Sequence, residues 1–234
     1  MIRILTCIQD GHDLRLVFLA ALTALIGSLI SARLFRMVPQ ERGRRGAWFI
    51  VQSSVIGGAT IWTTHFVAML GFDPGVPHGY DAELTLLSLL VAMVGVLVGQ
   101  TMIRASNGSL LAEAGGAVMG ASIVGMHFLG MSSVQMAGIF EWDADLVAAS
   151  AIAGPTLGAL TANRLARPVT RFCWSGGAGF FVLAICVTHF TAMGALAVSP
   201  TGAAPPEGAD LVPDSLLAMM VVAVTALILL VGAS

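Results

Sequence analysis

Three histidines, His65, His127 and His189, stand at a constant interval of 62 residues, and each is followed four residues later by a methionine, Met69, Met131 and Met193. The surrounding hexapeptides repeat: Thr64-His65-Phe66-Val67-Ala68-Met69, Met126-His127-Phe128-Leu129-Gly130-Met131 and Thr188-His189-Phe190-Thr191-Ala192-Met193. On a helix, residues four apart share a face, so each copy offers an imidazole and a thioether side by side. Imidazole suits copper and zinc, and thioether particularly suits copper(I). Three such pairs would put three nitrogens and three sulfurs around a common axis. The motif contains no carboxylate, which disfavours a hard magnesium or calcium site.

The elements that must carry these residues follow from composition. The chain has 234 residues, 57% of them hydrophobic and 10% charged, with a mean hydropathy of +0.90. An average soluble domain has roughly 25% charged residues. A single water-soluble domain, a disordered chain and a fibrous one are therefore excluded, and an integral membrane protein is expected. All 11 basic residues are Arg, and the net charge of -2 gives no basic excess for nucleic acid. Cys7, Cys173 and Cys186 are odd in number and far apart, so they indicate no disulfide framework. Asp10 and Asp13 precede the first long apolar run, which argues against a cleavable signal peptide.

About 20 apolar residues cross a bilayer core as a helix. Seven stretches qualify: Leu14–Leu34, Ala47–Phe72, Leu84–Ile103, Leu111–Val134, Leu146–Leu165, Phe172–Val198 and Ser215–Ala233. Pro39, the stretch from Asp73 to Tyr80, Ser106 to Gly108, Pro168 and the Pro-rich run from Ser199 to Pro213 separate them. Alternate loops collect Arg33, Arg36, Arg42, Arg44, Arg45, Arg104, Arg164, Arg167 and Arg171. The opposite loops hold Asp73, Asp81, Glu83, Glu141, Asp143, Asp145, Glu207, Asp210 and Asp214, and no Arg. By the positive-inside rule the N-terminus is expected outside and the C-terminus in the cytoplasm. The chain stops at Ser234, at the inner end of the seventh span. That fits either a bare membrane module or a domain cut where a cytoplasmic output domain would begin.

The repeat reaches beyond the hexapeptides. Odd-numbered spans open with Asp-x-x-Leu at Asp13, Asp81, Asp143 and Asp214, and Tyr80-Asp81 and Trp142-Asp143 match His12-Asp13 in position. The expected fold is all-α: three tandem two-helix repeats, about 13–72, 81–134 and 143–198, plus a closing helix at 215–233. All three copies then cross in the same sense, and the histidines fall at one depth on spans two, four and six. His65 lies about seven residues before Asp73, roughly 10 Å inside the outer boundary at 1.5 Å per residue. A lone Met in a membrane helix is usually packing, whereas an ionisable residue there is by default functional. Three His in register, each with Met at the same offset, favour a ligand cluster over packing. Met126 and Cys186 are weaker candidates, with Cys186 expected to be a packed small residue. His12 and His78 are expected at the outer surface, solvated, with guidance of incoming metal as the alternative. Gly57-Gly58, Gly115-Gly116 and Gly176-Gly177 recur where helices approach closely. The five-Arg first inner loop fits topology and lipid-headgroup contact.

These residues resemble the MHYT family of bacterial membrane sensor domains, across essentially the whole chain. The family pattern sets Met-His-aromatic motifs near the outer ends of alternate helices, with arginines inside. Met126-His127-Phe128-Leu129-Gly130-Met131 is the nearest copy; Phe stands for Tyr in all three, and the Met before His survives only at Met126. The resemblance implies a sensory input domain of the bacterial inner membrane that binds copper and, through it, oxygen, carbon monoxide or nitric oxide. Cytoplasmic domains that make or degrade cyclic di-GMP commonly follow in the family. Carried over residue by residue, the metal ligands are His65, Met69, His127, Met131, His189 and Met193, with zinc as the second choice of metal. The domain itself is expected to be no enzyme, and a homodimer is compatible with the reading. Three alternatives differ in kind. A copper or zinc metalloenzyme at the same cluster would need an acid or base from Asp73, Asp81 or Asp143. Haem would need only two His and would show a Soret band. A copper transporter would need a second His or Met ladder in the inner half, which the sequence lacks.

Overall fold

The computed structural model describes residues 6–9, 11–38, 43–107, 109–170, 172–201 and 211–233. Pro39, Arg42, Gly108, Arg171, Glu207, Asp210 and Ser234, used in the topology argument, lie outside the described residues. Seven long helices run through the described part: α1 (Leu14–Met37), α2 (Arg44–Leu70), α3 (Ala82–Ala105), α4 (Leu111–Ser132), α5 (Ala144–Ala166), α6 (Cys173–Ala195) and α7 (Asp214–Ala233). Six are long and apolar enough to cross a membrane; α2 is the exception. Its interior carries Ser53, Ser54, Thr60, Thr63, Thr64 and His65, all buried. Polar side chains on a membrane-type helix are tolerated where they face protein instead of lipid, and α2 is the most enclosed helix of the set.

The bundle explains that enclosure. Consecutive helices pack side by side from α1 to α6, α6 returns against α1, and α2, α4 and α6 also touch one another. The even helices therefore form the core, while α1, α3 and α5 turn large apolar side chains such as Phe18, Leu90 and Ile152 outward. Helix α7 lies outside this ring, against α2 and α1. Close approach of α4 and α5 depends on facing glycines. A Cβ at Gly120 or Gly116 would run into the carbonyls of Gly154 or Gly158 across the interface. Of the recurring glycine pairs, Gly176 departs from the expected role, since a Cβ there would meet nothing within 4 Å.

One end of the bundle holds structure that an all-α reading omits: five short strands, β1 (His78–Asp81), β2 (Val134–Met136), β3 (Gly138–Trp142), β4 (Leu196–Pro200) and β5 (Leu211–Val212). The expected α4 and α6 spans end early, at Ser132 and Ala195, because the chain turns into β2 and β4 there. Strand β1 pairs antiparallel with β2 and β5, and β3 with β4. One device repeats in every hairpin. The backbone N–H of the aspartate opening the odd helix donates to a carbonyl at or just past the end of the even helix: Asp13 to Gly71 at 2.8 Å, Asp81 to Ser133 at 2.7 Å and Asp143 to Ala195 at 2.9 Å. The same aspartates cap their helices, accepting N–H bonds from Arg15, Leu84, and Asp145 with Leu146. An N-cap Asp satisfies donors that a helix start otherwise leaves orphaned. The residue before each aspartate pairs across the hairpin in turn: His12 with Phe72, Tyr80 with Val134 and Trp142 with Leu196.

Two further ties fix the opposite half. Ser31 and Ser53 exchange hydroxyl-to-carbonyl bonds of 2.9 and 2.8 Å between α1 and α2. Gln100 of α3 donates to Ser53 Oγ at 2.8 Å and accepts from Ser54 Oγ at 3.0 Å. Near the end of the bundle away from the strands, Glu113 of α4 accepts from Arg167 and from Asn163 at its 2.7 Å contact.

Candidate metal centre

Helices α2, α4 and α6 bring His65, His127 and His189 together at one level, each six residues before the stapled carbonyl of its hairpin. At 1.5 Å per residue, that places the rings about 9 Å below the staples. The rings stand edge to face, with centroids 4.9 Å apart for His65–His127 and 5.2 Å for each of the other pairs. His65 Nδ1 lies 3.2 Å from both His127 Nδ1 and His189 Nδ1. One ligand nitrogen from each ring lies within 4.8 Å of the others.

All three histidines are buried, at 1%, 1% and 5% exposure. A neutral imidazole has one N–H and one lone pair. Three Nδ1 atoms facing a common centre cannot all be satisfied by one another, because each shared contact takes a single proton. The three Nε2 atoms have no hydrogen-bond partner either, and neither do the buried hydroxyls of Thr63, Thr64 and Thr188. Such groups ordinarily cost about 1–3 kcal/mol each when left unmet in an interior. Imidazole bonds to zinc of about 2.0–2.1 Å in a tetrahedral site separate two nitrogens by about 3.3 Å. The 3.2 Å contacts match that spacing, so the donor set fits a small cation of the zinc or copper kind. Among the described residues, no Asp, Glu or Cys belongs to this group.

The other sequence candidates divide. Met69, Met131 and Met193 are buried at 1–2% exposure, one helical turn beyond their histidines, and Met126 is buried as well. Cys186 is half-buried and outside the converging group. His78 is half-buried; its Nε2 lies 3.7 Å from an Asp214 carboxylate oxygen at the start of α7. His12 differs most from expectation. It is 6% exposed, covered by the turn at 6–9, and its ring lies against Phe72, Phe190 and His189. Burial pushes its pKa below the ordinary imidazole value, with the Cys7 carbonyl contact opposing the shift. Burial, and then the Asp214 carboxylate, push the Tyr80 phenol above its usual range. The alignment of His12 with Tyr80 and Trp142 was the one signal in the sequence that its seat is an inward-facing ring position.

A bundle of membrane-type helices with a triple-imidazole centre, repeated about a pseudo-threefold axis, defines a polytopic membrane protein with a candidate metal site. The MHYT family, described as a bacterial signalling protein N-terminal repeat, matches residues 58–116 and 120–173. The chain belongs to that family and is a signalling domain. It is 34% identical over 240 residues to an "Uncharacterized signaling protein" of Caulobacter vibrioides, covering 98% of this chain and 28% of the relative. It is 32% identical over 135 residues to the bifunctional diguanylate cyclase/cyclic di-GMP phosphodiesterase MucR of Pseudomonas aeruginosa, covering 54% of this chain and 19% of that protein. Identity to the cyclic di-GMP phosphodiesterase NbdA of the same organism is 29% over 214 residues, 85% of this chain and 27% of the relative. The chain thus spans less than a third of the length of these relatives. No solved structure matches it.

Proposed function

We propose that this chain is the sensing module of a multi-pass inner-membrane signalling protein, holding one copper ion on His65, His127 and His189 with Met69, Met131 and Met193 as sulfur donors. The observation that carries the reading is the convergence of three buried, mutually unsatisfied imidazoles. The methionines, one turn beyond on the same helices, supply the softer donors that favour copper over zinc. Bound there, copper would offer a diatomic gas such as oxygen, carbon monoxide or nitric oxide a place among its ligands wherever one of the weaker thioether donors yields its own.

All seven helices cross the bilayer in this reading, α2 included, because its polar residues face the other even helices. The arginine asymmetry supports a reading in which the stapled ends and the His layer face the extracytoplasmic side. A change in the separation of α2, α4 and α6 passes to α7, which packs on α2. Its far end then addresses a cytoplasmic effector that makes or degrades cyclic di-GMP, in keeping with the names of the MucR and NbdA relatives. In this reading the module senses and leaves catalysis to the effector.

Elemental analysis of the purified protein tests this directly. About one copper per chain is expected, absent from the His65→Ala/His127→Ala/His189→Ala variant. Zinc in the same ratio would point to a structural or hydrolytic site, and no metal in either protein would return the cluster to packing.

A further inference from the structure

One buried imidazole near the centre has no place in it. The three hairpins each seat a ring immediately before the capping aspartate: His12, Tyr80 and Trp142. In cyclic order, each ring leans on the phenylalanine that follows the cluster histidine of another hairpin. Tyr80 meets Phe66 with centroids 5.9 Å apart, Trp142 meets Phe128 at 5.5 Å, and His12 meets Phe190 at 5.9 Å. Together they roof the His layer on three sides. Tryptophan offers no lone pair to a cation, and a protonated phenol is a poor one, so two sides are closed to metal exchange.

The third side is different. His12 Nδ1 lies 2.9 Å from the Cys7 carbonyl oxygen. A carbonyl only accepts, so Nδ1 carries the proton and donates it. The lone pair is thereby fixed on Nε2, which is buried and unpartnered. The same arrangement, an imidazole N–H held by a backbone carbonyl, orients histidines that ligate metals. The His12 centroid is 6.2 Å from that of His189. Within the trio the separations are 4.9–5.2 Å. His12 is thus next to the centre but set farther from His189 than the three are from one another, and it lies outside their converging group.

We propose that His12 is a transfer ligand, the nitrogen that a soft or borderline cation meets first from the stapled end and from which it passes to His189 and the trio. The proposal rests on the metal-binding reading above. Exchange is between neutral imidazole donors: the bond to His12 Nε2 breaks as the bond to His189 forms, and neither proton nor electron changes hands.

The test follows copper(I) delivered from a coloured chelator to the full chain in detergent, recording both the rate of loading and the equilibrium affinity. His12→Phe keeps an aromatic ring in the seat. Loading and chelator-driven removal are expected to slow at least tenfold, with affinity within about twofold of the parent and an unchanged number of nitrogen ligands by X-ray absorption. Trp142→Phe, a change in an equivalent seat, should leave both rates as they were. Unchanged rates in His12→Phe would overturn the proposal, as would equal slowing in Trp142→Phe, which would make the effect one of packing. Loss of one nitrogen ligand at rest would overturn it too, by making His12 a permanent ligand. If the parent itself takes up no stoichiometric copper, the metal centre fails instead, a result visible before any variant is made.

Discussion

Two buried polar layers cross this bundle, an outer one near the strands and an inner one away from them, and they are built on opposite plans. In the inner one, Ser31, Ser53, Ser54 and Gln100 bond to one another or to backbone carbonyls, so that the layer closes on itself. In the outer one, the three histidines meet at a shared centre, and their Nε2 atoms and the hydroxyls of Thr63, Thr64 and Thr188 lack partners. Both lie in surroundings where an unmet polar atom is expensive. The layers differ in symmetry as well. Gln100 occupies a position that Ala32 and Ala162 fill in the other hairpins, all three being buried, whereas histidine recurs in all three copies. A polar layer that satisfies itself once, in one copy, holds helices together. One that repeats and stays unsatisfied is arranged around something else.

Removing the outer layer should therefore change binding and not folding. His65→Ala with His127→Ala is expected to lower copper affinity by at least two orders of magnitude while the protein remains monodisperse. Competition against a chromophoric chelator reads the affinity, and affinity like the parent's would end the comparison. Gly130→Ala strikes the same layer more gently. A Cβ there would stand 2.6 Å from His65 Nε2, so the ring must tilt, and copper affinity should fall about tenfold, or ~1.4 kcal/mol. Gly176→Ala, with nothing in reach, is the matched control and should change nothing. The inner layer should show the reverse pattern. Gln100→Leu removes two interhelical hydrogen bonds, which average about 0.6 kcal/mol each in membrane proteins. It should lower resistance to SDS unfolding by about 1 kcal/mol and leave copper affinity alone. The smallest effect is expected from Glu113→Gln, which weakens a half-exposed ion pair with Arg167. A slight drop in melting temperature, shrinking further at high salt, would fit a screened pair.

How much of this the sequence disclosed depends on the range of the forces involved. The helices were legible because membrane burial needs long apolar runs, and the centre because a 62-residue period keeps His at one depth in every copy. Even α2, the least apolar of the set, was legible as a helix, although its polar residues are explained only by its place among the other even helices. The strands were not visible: they are two to five residues long, too short for a periodic pattern, and form only because the hairpin ends meet. His12 was misread for a related reason. Its neighbours Phe72, Phe190 and His189 are distant in sequence and reach it only through the cyclic packing of the hairpins. The serine–glutamine layer was missed because single small polar residues in an apolar helix carry no signal until their partners are known.

The three backbone staples have a mechanical consequence. Each hairpin is hinged at its stapled end by an aspartate N–H, and the His layer lies about 9 Å from that hinge along α2, whose 27 residues extend about 40 Å. A rigid helix pivoting there is a lever with a gain of about four. A contraction of half an ångström at the imidazoles would swing the far end of α2 by about 2 Å. Leverage of that size lets a small change among three imidazoles be felt at the opposite end of the bundle.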